Sequence, residues 1–139
     1  MEDATKDHQV RVLIAEDEAH IRRVVRAIVT ALGARVVGEA QDGEEAVALA
    51  ASTRPHVVLL DINMPKLNGD LALRRILEGD PGVIAIMMTA QDTLEAVRTC
   101  LEHGARDYIL KSNRAEEIFR LLRDAWPEYV AEVRGREGS

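Results

Sequence analysis

The sequence predicts an α/β fold in which a parallel sheet of five strands lies between two layers of helices. Short runs rich in β-branched residues alternate along the chain with segments of helical spacing. Most of these runs are apolar at consecutive positions, which is typical of strands that helices cover on both faces. Strict alternation implies right-handed crossovers and three layers. The predicted strands are residues 10–15, 34–39, 56–60, 83–88 and 107–110.

The first two helices are predicted from an apolar stripe and from a capping pattern. Apolar residues recur at i, i+3, i+4, i+7, i+8 and i+11 from Ile21 to Leu32, and Gly33 follows as a stop signal. The second helix begins at Asp42, where Glu45 three residues later completes a capping box, and it runs to about Thr53.

Capping and turn signals also place the other three helices. The third covers about 70–78 and ends at the turn 79–82. The fourth starts from Asp92, with Glu95 as its capping partner, and ends before Gly104. The fifth starts after Asn113. Its expected apolar face consists of Ile118, Leu121, Leu122 and Ala125.

A single domain is expected over residues 10–126. Residues 1–9 are predicted to be a flexible segment, since they are polar and acidic. Pro127 should kink or stop the fifth helix, because proline lacks the amide proton that a helix interior needs. Residues 127–139 are therefore predicted to form a C-terminal extension, a short helix followed by a frayed end.

Composition excludes several classes of function. The net charge of −6 argues against nucleic-acid binding over the whole surface. The single cysteine, Cys100, excludes an intrachain disulfide and is expected to be a buried, inert thiol. The four histidines have no metal-ligand spacing and are expected at the surface. Because no apolar run is long enough to span a bilayer, a cytoplasmic protein without membrane contact is expected.

Polar side chains follow the predicted strands where each strand ends. The acids 16–18 follow the first strand, Asp61 the third, Thr89 the fourth and Lys111 the fifth. In a parallel α/β sheet, ligands bind outside the carboxyl ends of the strands. Converging carboxylates raise one another's pKa unless a cation joins them, and Mg²⁺ binds carboxylates together with phosphate oxygens. The sequence therefore predicts a magnesium site that attracts a phosphoryl group.

Each of these side chains has a plausible part in phosphoryl chemistry. Asp61 ends a buried strand, so it is the candidate nucleophile, which would form an acyl phosphate. The adjacent acids Glu16 and Asp17 fit metal binding better. Thr89 could donate its hydroxyl to a phosphoryl oxygen, and the small Ala90 beside it leaves room for the group.

Taken together, these residues resemble the receiver domain of two-component response regulators over about residues 10–125. The resemblance implies a flavodoxin-like (βα)5 sandwich with strand order 2-1-3-4-5. It implies that Asp61 accepts phosphate from the phosphohistidine of a sensor histidine kinase or a histidine phosphotransfer protein. The residues that carry it are Glu16-Asp17, Asp61-Ile62-Asn63-Met64-Pro65 with Gly69, Thr89-Ala90, Tyr108 and Lys111.

The resemblance also implies a role for each site residue. Asp17, Asp61 and the backbone carbonyl of Asn63 would hold Mg²⁺, with Glu16 acting through water. Lys111 and Thr89, beside Ala90, would contact the phosphoryl group. Thr89 and Tyr108 would form a switch that reshapes the face of the fourth helix, fifth strand and fifth helix. Asn63 and Gln91 would position the water for slow autodephosphorylation, so the chain would be a signalling phospho-acceptor, not an enzyme acting on other substrates.

One position departs from the family pattern. The family's lysine usually precedes a proline in a cis peptide, whereas Lys111 here precedes Ser112. A cis bond without proline is unfavourable by about 2.5–4 kcal/mol, so a trans bond is expected.

Other functions remain open at this stage. A metal-dependent phosphohydrolase would place a second acid two residues after its nucleophile, where this chain has Asn63. A receiver-like module that is never phosphorylated and a flavin-binding flavodoxin are further alternatives. The latter needs a phosphate-binding loop where the chain carries the acids 16–18. Expected partners are the phosphate donor and a downstream protein or output domain, with a phosphorylation-dependent homodimer as one further state.

Overall fold

Five parallel strands form one sheet in the order β2-β1-β3-β4-β5, which confirms the expected fold. The computed structural model describes residues 9–90 and 93–137. Each predicted strand is present, within one residue of its predicted bounds. The strands are β1 (Arg11–Ala15), β2 (Arg35–Ala40), β3 (Val57–Asp61), β4 (Ile84–Thr89) and β5 (Asp107–Leu110).

The first three helices follow the predicted stripes and caps, whereas the fourth and the fifth differ from the prediction. Asp42 caps the second helix through a 2.8 Å bond from the Glu45 amide, as predicted. The fourth helix does not begin at Asp92, because Thr93 is its N-cap and accepts from the Ala96 amide at 3.1 Å. The helices are α1 (Ala19–Ala31), α2 (Gly43–Thr53), α3 (Gly69–Gly79), α4 (Leu94–Glu102) and α5 (Ala115–Glu137).

Apolar side chains fill both faces of the sheet. One core lies under α1 and α5 and the other under α2, α3 and α4. The predicted stripe of α1 lies on the first core, where Val25 and Val29 are completely buried. Cys100 lies in the second core, as expected, and burial raises the pKa of its thiol. Because helices cover both faces of the sheet, ligands can approach it at the ends of its strands.

The fifth helix is longer than the sequence predicts, because it continues through Pro127 to Glu137. Twenty-three residues span about 35 Å, which exceeds the length of the short strands beneath. Trp126, immediately before the predicted stop, is buried in the first core, and so are Tyr129 and Val133 beyond it. Their burial favours helix over the break that Pro127 would otherwise cause. Leu121, predicted on the apolar face, is instead exposed.

Polar contacts fix the end of α5 to loops at the amino edge of the sheet. Tyr129 donates a hydrogen bond to Asp107, and Arg106 pairs with Glu132 at 2.8 Å. His56 was expected at the surface, but it is buried. Its Nδ1 accepts the Arg11 amide at 2.9 Å, and its Nε2 lies 2.6 Å from Glu137 Oε2. The extension therefore packs as part of the domain and covers the amino edge of the sheet.

The predicted frayed end is wrong for residues 134–137, which continue α5 as helix. Residues 1–8, which make up most of the predicted flexible segment, and residues 138–139 are not among the described residues. None of the helices in the described ranges is long and apolar enough to cross a membrane.

Candidate functional site

The carboxyl edge of the sheet brings the predicted acids and the lysine together. Lys111 Nζ lies 3.2 Å from Asp61 Oδ2, 3.1 Å from Glu16 Oε2 and 2.9 Å from Glu18 Oε1. These residues stand at the carboxyl ends of β1, β3 and β5, which lie along one edge of the sheet because its strands are parallel. The structure thus brings Glu16, Asp61 and Lys111 together at this edge.

Asp61 is the last residue of β3 and its carboxylate is almost wholly buried, with 1% of the residue exposed. Its Oδ1 accepts the Asn63 amide at 3.2 Å, and its Oδ2 accepts from Lys111. Burial raises the pKa of Asp61, although the Lys111 cation opposes that shift. A buried carboxylate held by two donors at a strand end has a fixed orientation, which an attacking nucleophile requires.

Glu16 is completely buried behind Asp61. Its Oε2 accepts the Glu18 amide at 3.0 Å, while Oε1 accepts no hydrogen bond from the described residues, although Lys111 Nζ lies 3.1 Å away. Burial, with a further contribution from the nearby negative charge of Asp61, raises the pKa of Glu16 to about 7. A buried oxygen without a hydrogen-bond donor is a site where a cation or its water would be favourable.

The acids 16–18 offer ligand atoms that all lie within 4.8 Å of one another. Glu16 is buried, whereas Asp17 and Glu18 are exposed to solvent. Hard divalent cations such as Mg²⁺ prefer carboxylate oxygens and keep several waters. The donor set and the orphaned Glu16 oxygen therefore fit such an ion. Asn63 is exposed beside Asp61, which its amide contacts.

Lys111 is held by its carboxylate partners and is mostly shielded from water, with 13% of its side chain exposed. Burial alone would lower its pKa, but the hydrogen bonds to Glu18, Glu16 and Asp61 raise it above the usual lysine range. The side chain is therefore a permanent cation at the site. Every peptide bond in the described ranges is trans, which confirms the expectation for Lys111–Ser112.

The loop after β3 is held against the site by a close backbone contact. The Gly69 amide donates to the Ile62 carbonyl at 2.7 Å, and Asn68 caps α3 by accepting the Leu71 amide at 2.9 Å. A Cβ at Gly69 would lie 2.1 Å from the Asp61 carbonyl oxygen. Only glycine fits this approach, so α3 begins directly against the residue that carries the candidate nucleophile.

Thr89 and Tyr108 lie on neighbouring strands beside this edge. Thr89 ends β4, is completely buried, and its carbonyl accepts the Lys111 amide at 2.8 Å. Tyr108 pairs in register with Met87, two residues before Thr89, so alternation places Thr89 and Tyr108 on the same face. Tyr108 is half-buried and Ala90 is exposed. Gln91, predicted to position water, lies outside the described residues.

The family model for the response regulator receiver domain matches residues 12–123. The chain belongs to the response regulator receiver family. It is 35% identical over 112 residues to the chemotaxis protein CheY of Thermotoga maritima, a match that covers 81% of this chain and 93% of that protein. It is also 39% identical to the protein-glutamate methylesterase/protein-glutamine glutaminase of Pyrococcus abyssi over 91% of this chain. That match covers only 34% of the methylesterase.

Solved structures of receivers have the same fold. CheY in a CheX-CheY-BeF3-Mg²⁺ complex from Borrelia burgdorferi has a TM-score of 0.78 and 30% identity, covering 84% of this chain and 89% of that one. The receiver domain of Thermotoga maritima CheB has a TM-score of 0.74 and 32% identity, covering 91% and 97%. The family match and these structures identify the chain as a receiver domain of the CheY and CheB type, which is consistent with a role in phosphorylation-based signalling.

The structure reveals contacts of two site residues that the sequence did not predict. Glu18 makes the shortest contact to Lys111, although the acids 16–18 read equally well as solvated residues of a helix first turn. Asn68-Gly69 reads as an ordinary turn, yet Gly69 contacts the backbone of Asp61. The signal for Glu18 was its position next to Glu16 and Asp17. A glycine spacing alone does not reveal a close approach between two loops.

Proposed function

We propose that this receiver accepts a phosphoryl group on Asp61 from the phosphohistidine of a sensor histidine kinase or histidine phosphotransfer protein. The observation that supports this function best is the contact between Lys111 Nζ and Asp61 Oδ2 at 3.2 Å, inside a buried group of acids. An Asp61 oxygen attacks phosphorus while the phosphorus–nitrogen bond of the donor breaks, and the imidazole leaves. The donor ring carries a proton on its other nitrogen and therefore leaves as neutral imidazole, so the products are an aspartyl phosphate and a neutral histidine.

The residues around Asp61 would divide the remaining work. Asp17, Asp61 and the Asn63 carbonyl would hold Mg²⁺, and Glu16 would act through water. When bound, the ion neutralises the charge of the phosphoryl oxygens and the carboxylates. Support comes from the acid cluster of this chain and from the BeF3 and Mg²⁺ bound in the Borrelia CheY complex. Lys111 would place a second positive charge beside the phosphoryl group, and the Thr89 hydroxyl would donate a hydrogen bond to it. The small Ala90 would leave space for the group.

Loss of the phosphoryl group would be slow and would need only water. Asn63 and Gln91 orient that water in line with the phosphorus–oxygen bond. A hydrolase acting on other substrates would place an acid two residues after Asp61, and the amide of Asn63 cannot act as a general base. The chain therefore serves as a signalling phospho-acceptor that catalyses its own phosphorylation and dephosphorylation.

Phosphorylation would switch the face formed by α4, β5 and α5. Thr89 moves toward the phosphoryl oxygens, and Tyr108, on the same face of the sheet, turns into the space it leaves. One or two charge-assisted hydrogen bonds, about 2–5 kcal/mol, suffice to shift such a two-state equilibrium. Leucines exposed on the two helices of this face support a partner surface there: Leu94 and Leu101 on α4 and Leu121 on α5.

The partners of that face are proposed from the relatives. A downstream protein, an output domain or a second phosphorylated copy would bind it, and the receiver itself would make no direct contact with nucleic acid or membrane. The phosphate donors of such systems act in the cytoplasm, which is the proposed location.

Intact-mass measurement tests the phospho-acceptor. The protein is incubated with Mg²⁺ and a small phosphoramidate, and we expect one added phosphate that Asp61→Asn abolishes. Asp124→Asn, a change on the exposed surface of α5, is the matched control and should be phosphorylated normally. Phosphate on Asp61→Asn, or rapid multiple turnover of a phosphate ester, would contradict the proposal.

A second variant tests the switch separately. Tyr108→Ala should take up phosphate at the normal rate and should lose the phosphorylation-dependent change at the α4–β5–α5 face, measured by amide chemical shifts. A normal change in this variant would remove Tyr108 from the switch while leaving phosphorylation at Asp61 intact.

A further inference from the structure

A cavity lies at the amino edge of the sheet, opposite the carboxyl edge that carries Asp61. It has a volume of about 380 Å³ and lies between α2 and α3, beside the loops that precede β3 and β4. Its floor is apolar, formed by Val47, Ile76 and Val83. Cavities of this size with an apolar lining and a few polar groups are typical of small-molecule sites.

Three arginines line this cavity, although the chain as a whole carries a net charge of −6. They are Arg54, Arg75 and Arg136, and the one acid among the lining residues is Asp80. Asp80 is already engaged, because its Oδ1 accepts the Gly82 amide at 3.1 Å and lies 3.6 Å from Arg136. Two positive charges therefore remain uncompensated around an apolar floor.

Arg54 and Arg75 supply those charges. Within residues 9–90 and 93–137 neither guanidinium forms an ion pair, and both residues are exposed. The backbone of Arg54 is nevertheless fixed, since Arg11 donates two hydrogen bonds to its carbonyl, at 2.7 and 3.2 Å. Arg54 also adopts a left-handed backbone conformation, with φ of 49°, at the end of α2.

The extension of α5 completes the cavity. Arg136 lies 13 residues beyond the last position of the receiver family match, which ends at residue 123. Its guanidinium donates to the Gly82 carbonyl and neutralises Asp80. Arg136 therefore adds to the lining of this cavity a charged residue from outside the family match.

We propose that this cavity binds a small organic anion, a phosphate monoester or a carboxylate with a compact apolar body. The apolar body lies on the floor at Val47, Ile76 and Val83, and the anionic group lies between Arg54 and Arg75. Guanidinium groups match phosphate and carboxylate oxygens in a two-point geometry. The site is separate from the proposed phosphoryl chemistry at Asp61, so either proposal can fail without the other.

Amide chemical shifts in ¹H–¹⁵N spectra, recorded without Mg²⁺, test the site. Phenyl phosphate and benzoate are the probes, inorganic phosphate lacks the apolar body, and benzyl alcohol lacks the charge. We expect saturable shifts around Val47, Arg54, Ile76 and Val83 with phenyl phosphate or benzoate, and the stronger of the two identifies the anionic group. Inorganic phosphate and benzyl alcohol should bind at least roughly ten-fold more weakly, since each lacks one half of the interaction.

Charge variants separate this cavity from general attraction to arginine. Arg54→Gln with Arg75→Gln should weaken phenyl phosphate binding at least roughly ten-fold, as expected for the loss of charged hydrogen bonds. Arg98→Gln with Arg120→Gln removes the same charge from exposed positions on α4 and α5 and should leave binding unchanged. An equal loss in both double variants would overturn the proposal.

A steric variant tests the position without changing charge. Ala51 lines the cavity and is exposed, so Ala51→Trp should block binding, whereas Ala131→Trp on the exposed side of α5 should not. Thermal unfolding confirms that each variant is folded before the titration. Normal binding in Ala51→Trp, shifts confined to the Asp61 edge, or no shift with either probe up to ~1 mM would each overturn the proposal.

Discussion

Glu18 Oε1 lies 2.9 Å from Lys111 Nζ, closer than either of the buried acids that share this lysine. The Glu18 side chain is half-exposed, with 49% accessible, whereas Glu16 and Asp61 are buried. Lys111 must contact a phosphoryl group if Asp61 is phosphorylated. Glu18 therefore competes with the incoming anion for the same cation, and its own negative charge opposes the approach of that anion.

Removal of the Glu18 charge should accelerate phosphorylation. We expect Glu18→Gln to take up phosphate from a small phosphoramidate roughly two- to five-fold faster at saturating Mg²⁺, since exposed ion pairs contribute about 0.2–1 kcal/mol. The rate is measured from the time course of intact mass. Glu44→Gln, at an exposed position at the start of α2, removes the same charge far from Lys111 and should not change the rate. A slower reaction in Glu18→Gln would assign Glu18 to metal binding instead.

Glu16 should make the stability of the metal-free protein depend on pH. Its pKa is raised from 4.5 to about 7, so the native state keeps a proton that the unfolded state releases. The stabilisation is complete below pH 4.5 and is lost as pH rises to about 7. Relative to Glu16→Gln, the free energy of unfolding should fall by up to about 3 kcal/mol over this range.

Urea unfolding at several pH values, in the presence of a chelator, measures this difference. The glutamine amide can still accept the Glu18 amide proton, so Glu16→Gln changes the charge more than the hydrogen bonding. Addition of Mg²⁺ at pH 7 should stabilise the wild type more than the variant. If the curves of stability against pH run parallel for the two proteins, Glu16 does not titrate as its burial implies.

Two glycines at the ends of α3 should respond in opposite ways to alanine. Gly69→Ala places a Cβ 2.1 Å from the Asp61 carbonyl oxygen, so it should displace the loop and slow phosphorylation at least roughly ten-fold. A Cβ at Gly79 would meet no atom of the described residues within 4 Å. Because alanine favours helix over glycine, Gly79→Ala should raise the free energy of unfolding by up to about 1 kcal/mol. Rates come from intact mass and stability from urea unfolding. A normal phosphorylation rate in Gly69→Ala would show that the loop can shift to admit the Cβ without disturbing the geometry at Asp61.

The extension of α5 should contribute to global stability. Tyr129 is 1% exposed, packs edge-on against Trp126 at 5.9 Å, and donates to Asp107. Tyr129→Ala should reduce the free energy of unfolding by about 3–5 kcal/mol, and Tyr129→Phe by about 1 kcal/mol, as judged by urea unfolding. Glu128→Ala, an exposed neighbour, should have little effect. Equal stabilities for Tyr129→Ala and Glu128→Ala would mean that the last turns of α5 do not belong to the core.

The fold was predictable because its signals are local and repeated. Consecutive apolar residues in 57–60 and the stripe from Ile21 to Leu32 specify a covered strand and an amphipathic helix without knowledge of their partners. The end of α5 was not predictable in this way. Pro127 is a strong local stop signal, and the tertiary burial of Tyr129 and Val133 that overrides it depends on the distant loops at the amino edge.

The site was predictable where it follows from topology and not where it follows from side-chain geometry. Asp61, Glu16 and Lys111 stand at the carboxyl ends of β3, β1 and β5, and in a parallel sheet these ends lie along the same edge. The shortest contact to Lys111, however, is set by the direction of one flexible glutamate, which no spacing rule specifies. The burial of His56 likewise depends on the unpredicted reach of α5 to Glu137.

The reach of α5 past Pro127 bears on how this domain can be joined to others. A recombinant fragment that ends at residue 123, where the family match ends, would lose Trp126, Tyr129 and Val133. The apolar core surface that these side chains cover would then be exposed to water and to other chains. Fusions and sensor chimaeras made at that boundary would tend to aggregate for reasons unrelated to signalling. A junction placed after residue 137 keeps the whole helix with the domain it stabilises.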